Sequence, residues 1–305
     1  MREQTKIVLS ASRRTDIPAF YMDWFMGHIE SGYFSVKNPY NDRVRKVAAT
    51  PEQVHTIVFW SKNFGPFIRG GYGEKLVEKG YHLFFNFTVN SQSPILEPRL
   101  PALEERLEQM RHLCRSYSPE AVVWRFDPIC FFQVEGGMPA DNLSDFTRIA
   151  EVAGTCGIRR CITSFLDRYS KIEKRTRAIS GFSFTSPALE KQKETLLDLE
   201  SRLSPLGISL YTCCEREVLE SLGPDAGVLP AQCIPNDLLM DLFGGTVSLK
   251  KDSGQRIKAG CGCMVSADIG SYKEHPCPHG CLFCYANPSK AAKWPAQLSS
   301  QRRTE

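Results

Sequence analysis

Three cysteines fall within eight residues near the end of the chain, in Cys277-Pro-His-Gly-Cys281-Leu-Phe-Cys284. A loop this short has no interior in which to bury three thiols separately, so the spacing implies convergence on one centre. Soft thiolates that converge hold an iron–sulfur cluster or zinc. Pro276, Pro278 and Gly280 stiffen and turn the loop so that the sulfurs point the same way. An electron-transfer cube or a structural zinc normally takes four protein ligands. Three in one tight loop suggest a 4Fe–4S cube with one iron left open. The alternative is a zinc knuckle completed by a cysteine elsewhere or by His275 or His279.

The spacing C-x3-C-x2-C, with Phe283 just before the last cysteine, resembles the signature of the radical SAM (S-adenosylmethionine) superfamily. The resemblance implies that the open iron binds the amino and carboxylate groups of SAM. It also implies a 5′-deoxyadenosyl radical after one-electron reduction, and an electron donor such as flavodoxin or ferredoxin.

The remaining cysteines bear on compartment. Met1-Arg2-Glu3-Gln4-Thr5-Lys6 lacks the apolar stretch of a signal peptide, and no apolar run reaches transmembrane length. The expectation is a cytoplasmic protein with no membrane partner, its 12 cysteines reduced. In that compartment clustered cysteines mean metal or catalysis. A net charge of +4 selects neither nucleic acid nor a lipid surface. The apolar fraction of 42% is enough for a large core in 305 residues.

Apolar, β-rich runs alternate with helical patterns. Strands are predicted near Ile7–Ala11, Thr56–Trp60, His82–Val89, Ala121–Phe126, Arg160–Phe165 and Ile208–Thr212. Helices are predicted over Pro18–Ser31, Glu74–Lys79, Pro101–Tyr117, Leu143–Gly154, Pro187–Leu203 and a short stretch near Pro235–Phe243. This repetition predicts an α/β fold with a parallel sheet, as a partial TIM-like (β/α) barrel of about six units. An open doubly wound sheet is the alternative. Residues 1–222 would form the barrel, and 223–288 a cysteine-rich, cluster-binding extension over its mouth. Residues 289–305 would be a polar, basic tail.

In such barrels the working residues sit at the C-terminal ends of strands. Asn86, Thr88 and Asn90 share one face of the third strand, and Phe85, Phe87 and Val89 the other, as a polar lumen and a helix-covered exterior require. Arg13, Arg14 and Lys62 are candidate cofactor-binding residues, suited to a carboxylate or phosphate. Arg125, Asp127 and Asp16 are the catalytic candidates, although Arg125 and Asp127 could equally form a structural ion pair. The substrate expected of such a site is a small, anionic molecule.

Cys261, Cys263, Cys233 and one of Cys213 and Cys214 make a possible second metal site, for zinc or an auxiliary iron–sulfur cluster. Cys213 and Cys214 are adjacent on a predicted strand and should face opposite sides. Cys114, Cys130, Cys156 and Cys161 read as isolated, small buried hydrophobes.

Beyond the triplet, Ser10-Ala-Ser-Arg-Arg-Thr-Asp-Ile-Pro18, Val58-Phe-Trp-Ser-Lys-Asn63, Trp124-Arg-Phe-Asp-Pro128, Cys261-Gly-Cys263 with Asp268-Ile-Gly270, and Cys277 through Asn287 resemble domain of unknown function family 1848. That family is similar to radical SAM proteins in its cysteine cluster but carries it at the C-terminus. The resemblance implies a fold and a cofactor, not a substrate. A cluster loop that follows the last strand must fold back over the strand C-termini to face the barrel mouth. Two other functions compete. One is a non-enzymatic iron–sulfur redox or sensing protein. The other is a zinc-stabilised, nucleic-acid-binding protein using Lys290, Lys293, Arg302, Arg303 and Trp294.

Overall fold

A computed structural model of the chain describes residues 5–37, 43–134, 137–177 and 179–286. Its centre is one eight-stranded sheet built from β1 (Ile7–Ala11), β2 (Val54–Ser61), β3 (His82–Thr88), β4 (Val122–Ile129), β5 (Arg160–Phe165), β6 (Ser209–Thr212), β7 (Val228–Pro230) and β8 (Ala267–Asp268). The strands lie in the order β7-β6-β5-β4-β3-β2-β1-β8, and every pairing is parallel. Seven strands follow chain order, and the eighth pairs with the outer side of the first. This is a mixed α/β fold with a large parallel sheet. Strands β7 and β8 are its two edges and share no ladder, so among the described residues the sheet does not close into a barrel.

All six predicted strands are present. The two that pattern reading missed have three and two residues, too short to show any period. Both come from the stretch assigned to the extension, so a boundary at residue 222 cuts through the sheet. The tail 289–305 lies outside the described residues. An antiparallel pair, Tyr33–Lys37 with Val44–Ala48, and a three-stranded sheet of Phe131–Val134, Met138–Asp141 and Ser183–Thr185 were also not foreseen.

The outer face of the sheet buries Leu9, Ile57, Phe59, Phe85, Phe87, Trp124, Phe126 and Leu210 in one cluster. Helices α1 (Met22–Ser31), α2 (Leu103–Tyr117), α3 (Phe146–Thr155), α5 (Leu189–Leu203) and their neighbours cover it; α4 (Ser170–Thr176) and α6 (Asn236–Phe243) lie elsewhere. Each such aromatic contributes on the order of 2 kcal/mol by leaving water. The expected helix over Pro18–Ser31 is broken at Tyr21, whose backbone (φ −133°) separates Ile17–Phe20 from α1. Gly32 ends α1 in the left-handed conformation at φ 76°. Among the described residues no helix is long and apolar enough to cross a membrane.

The inner face carries a second cluster. Val8, Val58, Phe84, Val123 and Ile162 pack against Ile234 and Leu239 of α6 and its approach, and against Cys233, Cys261 and Cys263. The alternation on β3 is as predicted: Phe85 and Phe87 join the outer cluster, while the Asn86 side chain donates inward to the Cys233 carbonyl at 3.0 Å.

Where β1 meets β8, the Asp268 carboxylate accepts from the Ser10 hydroxyl (2.9 Å), the Ser12 hydroxyl (2.7 Å) and the Arg13 backbone N–H (2.8 Å). Gly270 follows so closely that a Cβ there would lie 2.1 Å from Ser12 Oγ. Gly270→Ala is therefore expected to cost on the order of 1–3 kcal/mol through overpacking. Gly27→Ala, on the exposed side of α1 with nothing within 4 Å of its would-be Cβ, should gain about 0.5–1 kcal/mol. Chemical denaturation of the two variants checks both signs.

Candidate metal and catalytic site

The segment after β8 folds back over the C-terminal ends of β1, β2 and β3. Its anchor is Asp16, which follows β1. Asp16 Oδ1 accepts from the Ala19 N–H (3.0 Å) and the Ser61 hydroxyl (2.7 Å), and Oδ2 from the Lys62 N–H (2.9 Å). His279, between the first two cysteines of the triplet, meets Oδ2 through Nε2 at 2.8 Å. Tyr21 donates to the Pro276 carbonyl, and Tyr285 to the Arg13 carbonyl, both at 2.5 Å. Arg175 of α4 donates to the carbonyls of Cys281, Leu282 and Cys284 at 3.2, 2.6 and 3.1 Å. The triplet loop is held by its backbone on several sides, with Cys281 buried and Cys277 and Cys284 half-buried.

Cys281 and Cys284 lie near Lys62, with Glu97 beside Cys281, while Cys277 lies near Asp16. Lys62 Nζ pairs with Glu97 Oε1 at 2.7 Å and sits 5.1 Å above the Phe283 ring. Cys281 Sγ is 3.8 Å from the same Glu97 oxygen. Glu97 Oε2 is buried and has no hydrogen-bond partner among the described residues. Burial raises all three thiols, with the charges of Asp16 on Cys277 and Glu97 on Cys281 adding to it; Cys277 is pushed up to about 12. Without a metal they are neutral thiols. Burial works against the Lys62 charge, but the Glu97 carboxylate outweighs it and raises its pKa.

A buried polar row continues across the inner face. Arg125 on β4 pairs with Asp127 and donates from NH1 to Cys233 Sγ at 2.8 Å. Burial alone would raise Asp127, yet Arg125, the Ser164 hydroxyl and Lys62 together hold it below the ordinary aspartate range, so it stays ionised. Trp60 lies between two guanidiniums, with Arg13 5.4 Å and Arg125 5.2 Å from its ring, and donates to Ser10.

The predicted site residues thus separate. Arg13, Lys62, Arg125 and Asp127 line the inner face. Arg14 instead donates to the Gly270 carbonyl at 3.0 Å and lies 3.8 Å from Asp268, holding the loop after β8. Asp16 has its oxygens taken up by four donors and acts as an anchor. Glu97 was not foreseen. It sits in a proline-flanked turn, Pro94-Ile-Leu-Glu97-Pro98, with no periodicity to place it.

The second group of cysteines is brought together. Cys213, Cys214 and Cys261 have sulfurs all within 4.8 Å of one another. The Cys213 and Cys214 sulfurs are 3.6 Å apart, and Cys233 Sγ is 3.8 Å from Cys213 Sγ. The expectation that Cys213 and Cys214 face opposite sides fails for a local reason. Strand β6 ends at Thr212, and Cys214 takes a positive φ of 67°, which turns both thiols to one side. Cys263 adjoins Cys261 and Cys233. Cys130 shares an apolar cluster with Cys281, and Cys114 hydrogen-bonds Cys156, so neither is isolated.

A family model described as "Domain of unknown function (DUF1848)" matches residues 8–286. No curated protein matches the chain. The match spans β1 through the cysteine triplet, the same stretch that the geometry ties together.

Asp16→Ala is expected to leave four donors without their acceptor and to cost on the order of 2–4 kcal/mol in stability. It should also raise hydrogen exchange across residues 275–285 more than across the β2 and β3 strands. Exchange mass spectrometry with denaturant titration measures both.

Proposed function

The chain belongs to the DUF1848 family, and on that premise we propose that it is a radical SAM-type iron–sulfur enzyme acting on a small, anionic substrate. Cys277, Cys281 and Cys284 would hold a 4Fe–4S cluster, and SAM would bind beside it. The observation that carries this reading is the buried Lys62–Glu97 pair against Cys281, with one carboxylate oxygen left unpartnered.

The residues present fit such a group. The donors are soft, buried thiols that stay neutral until a metal displaces their protons. Their loop is fixed by Arg175 and Asp16 rather than by its own sulfurs. When bound, the cluster would supply one-electron reduction, drawn from a donor such as flavodoxin or ferredoxin. The chain's own groups do the rest. Glu97 Oε2 offers an acceptor for an ammonium group. Lys62, Arg13 and Arg125 would supply positive charge to a carboxylate. Leu96, Leu282 and Phe283 form an apolar wall that keeps water from the loop. Asp127, held ionised, orients Arg125 and is not a proton donor at neutral pH.

A second reading follows from Cys130, which is buried in the same apolar cluster as Cys281. Were Cys130 a fourth ligand, the cluster would be closed, and the protein would transfer electrons or sense redox state.

Anaerobic reconstitution with iron and sulfide decides between them. About four irons per chain should bind, and the reduced protein should give a 4Fe–4S paramagnetic resonance signal that shifts when SAM is added. Cys281→Ala should abolish the signal, and Cys130→Ala should leave it intact. A signal indifferent to SAM and lost in Cys130→Ala would sink the enzyme reading. Glu97→Gln is expected to weaken SAM binding about tenfold or more while retaining iron.

A further inference from the structure

The five-thiol cluster lies where the sheet fails to close. Strands β7 and β8 are each paired on one side only among the described residues, and the thiols come from both sides of the gap between them. Cys213 and Cys214 follow β6, and Cys233 follows β7, whose exit is tied back to β6 by the Ala231 N–H on the Thr212 carbonyl (2.8 Å). Cys261 and Cys263 belong to the loop that leads into β8. That loop crosses directly against the other side: a Cβ on Gly262 would lie 2.7 Å from the Ala231 carbonyl oxygen. The Met264 N–H donates to the Ile234 carbonyl at 3.1 Å. Apart from such contacts, nothing like a strand ladder joins the two edges among the described residues.

We propose that Cys213, Cys214, Cys233 and Cys261 hold a single tetrahedral metal ion of the zinc class, a clasp across the open seam between β7 and β8. Three arguments carry it. The first is spacing. A tetrahedral ion with metal–sulfur bonds of about 2.3 Å sets its sulfurs about 3.8 Å apart. The sulfurs of Cys213, Cys214 and Cys261 all lie within 4.8 Å of one another, and Cys213 Sγ is 3.6 Å from Cys214 Sγ and 3.8 Å from Cys233 Sγ; Cys233 stands outside the three-sulfur group and would close on it as the fourth ligand. A cube attaches each thiolate to a different iron and spreads them farther. The second is charge. Zinc with four thiolates carries two net negative charges after four thiol protons are lost, and a buried site must offset them. Arg125 donates to Cys233, and Arg256, tied to Asp167, stands near Cys214. The third is convergence. The four thiols, with Cys233 and Cys261 buried and Cys213 and Cys214 half-buried, come to one place from three separate stretches of chain. Cys263, beside Cys261 and near Arg13, stays outside the ligand set.

The clasp does not rest on the radical SAM reading, and it involves other cysteines. Full-length protein purified without added iron should carry about one zinc per chain by mass spectrometry of the metals. Cys214→Ser and Cys261→Ser should lose it, whereas Cys281→Ser and Cys263→Ser should keep it. Because a ligand variant can misfold, the wild-type chain is also stripped by chelator and titrated with cobalt(II). The intense visible bands of tetrahedral, all-thiolate cobalt should appear at one equivalent, and zinc should displace them. Removing the metal should lower the denaturation midpoint and speed amide exchange at residues 228–230 and 261–268. Absence of stoichiometric metal, a cobalt spectrum of octahedral or oxygen-rich type, zinc retained in Cys214→Ser, or iron with sulfide that survives in Cys281→Ser would each overturn the clasp.

Discussion

The Asp16 carboxylate does for this molecule what a core hydrophobe cannot: it joins three separate stretches of chain through directional bonds. It caps the short helix after β1 through the Ala19 N–H, holds the exit of β2 through Ser61 and Lys62, and fixes the cysteine loop through His279, 263 residues away in sequence. A buried carboxylate is tolerable only when its acceptor positions are filled, and here they are. The arrangement makes the strand ends and the cysteine loop one unit. Asp268 repeats the device next door, binding the end of β1 to the loop after β8 through Ser10, Ser12 and Arg13.

Around these anchors the molecule buries an unusual amount of charge. Lys62, Glu97, Arg125 and Asp127 all lie on or beside the inner face, and each is paired. Desolvating such groups costs several kcal/mol per ion, and the paired geometry returns only part of it. The aromatic outer core, with Phe59 stacked on Phe85 and Phe59, Phe64, Phe67, Phe85 and Phe87 otherwise in edge contacts, supplies the compensation. This charge is gathered in one place, beside Cys281, and one carboxylate oxygen there has no partner among the described residues.

How much of this was legible beforehand depends on distance along the chain. The six longer strands announced themselves by apolar runs, and β3 by its strict alternation of Phe with Asn and Thr. β7 and β8 were invisible because three and two residues carry no period. They are strands only because β6 and β1 offer them edges to pair with. The adjacent thiols of Cys213 and Cys214 were misplaced because alternation was carried one residue too far past Thr212. Glu97 carried no local signal: it is a turn residue whose role comes from Lys62 and Cys281, which reach it across the strand ends.

The sequence by itself determined the parallel α/β architecture, since period-two and period-3.6 patterns are local properties of the backbone. It also put Cys277, Cys281 and Cys284 within one eight-residue loop. Only the tertiary structure decided that Cys213, Cys214, Cys233 and Cys261 meet, that the sheet stays open between β7 and β8, and that Asp16 is an anchor while Glu97 faces the cysteines. Each of these rests on contacts between residues far apart in the chain. Their closeness is set by how the sheet is ordered and how the last segment folds back over it, and no spacing along the chain encodes that.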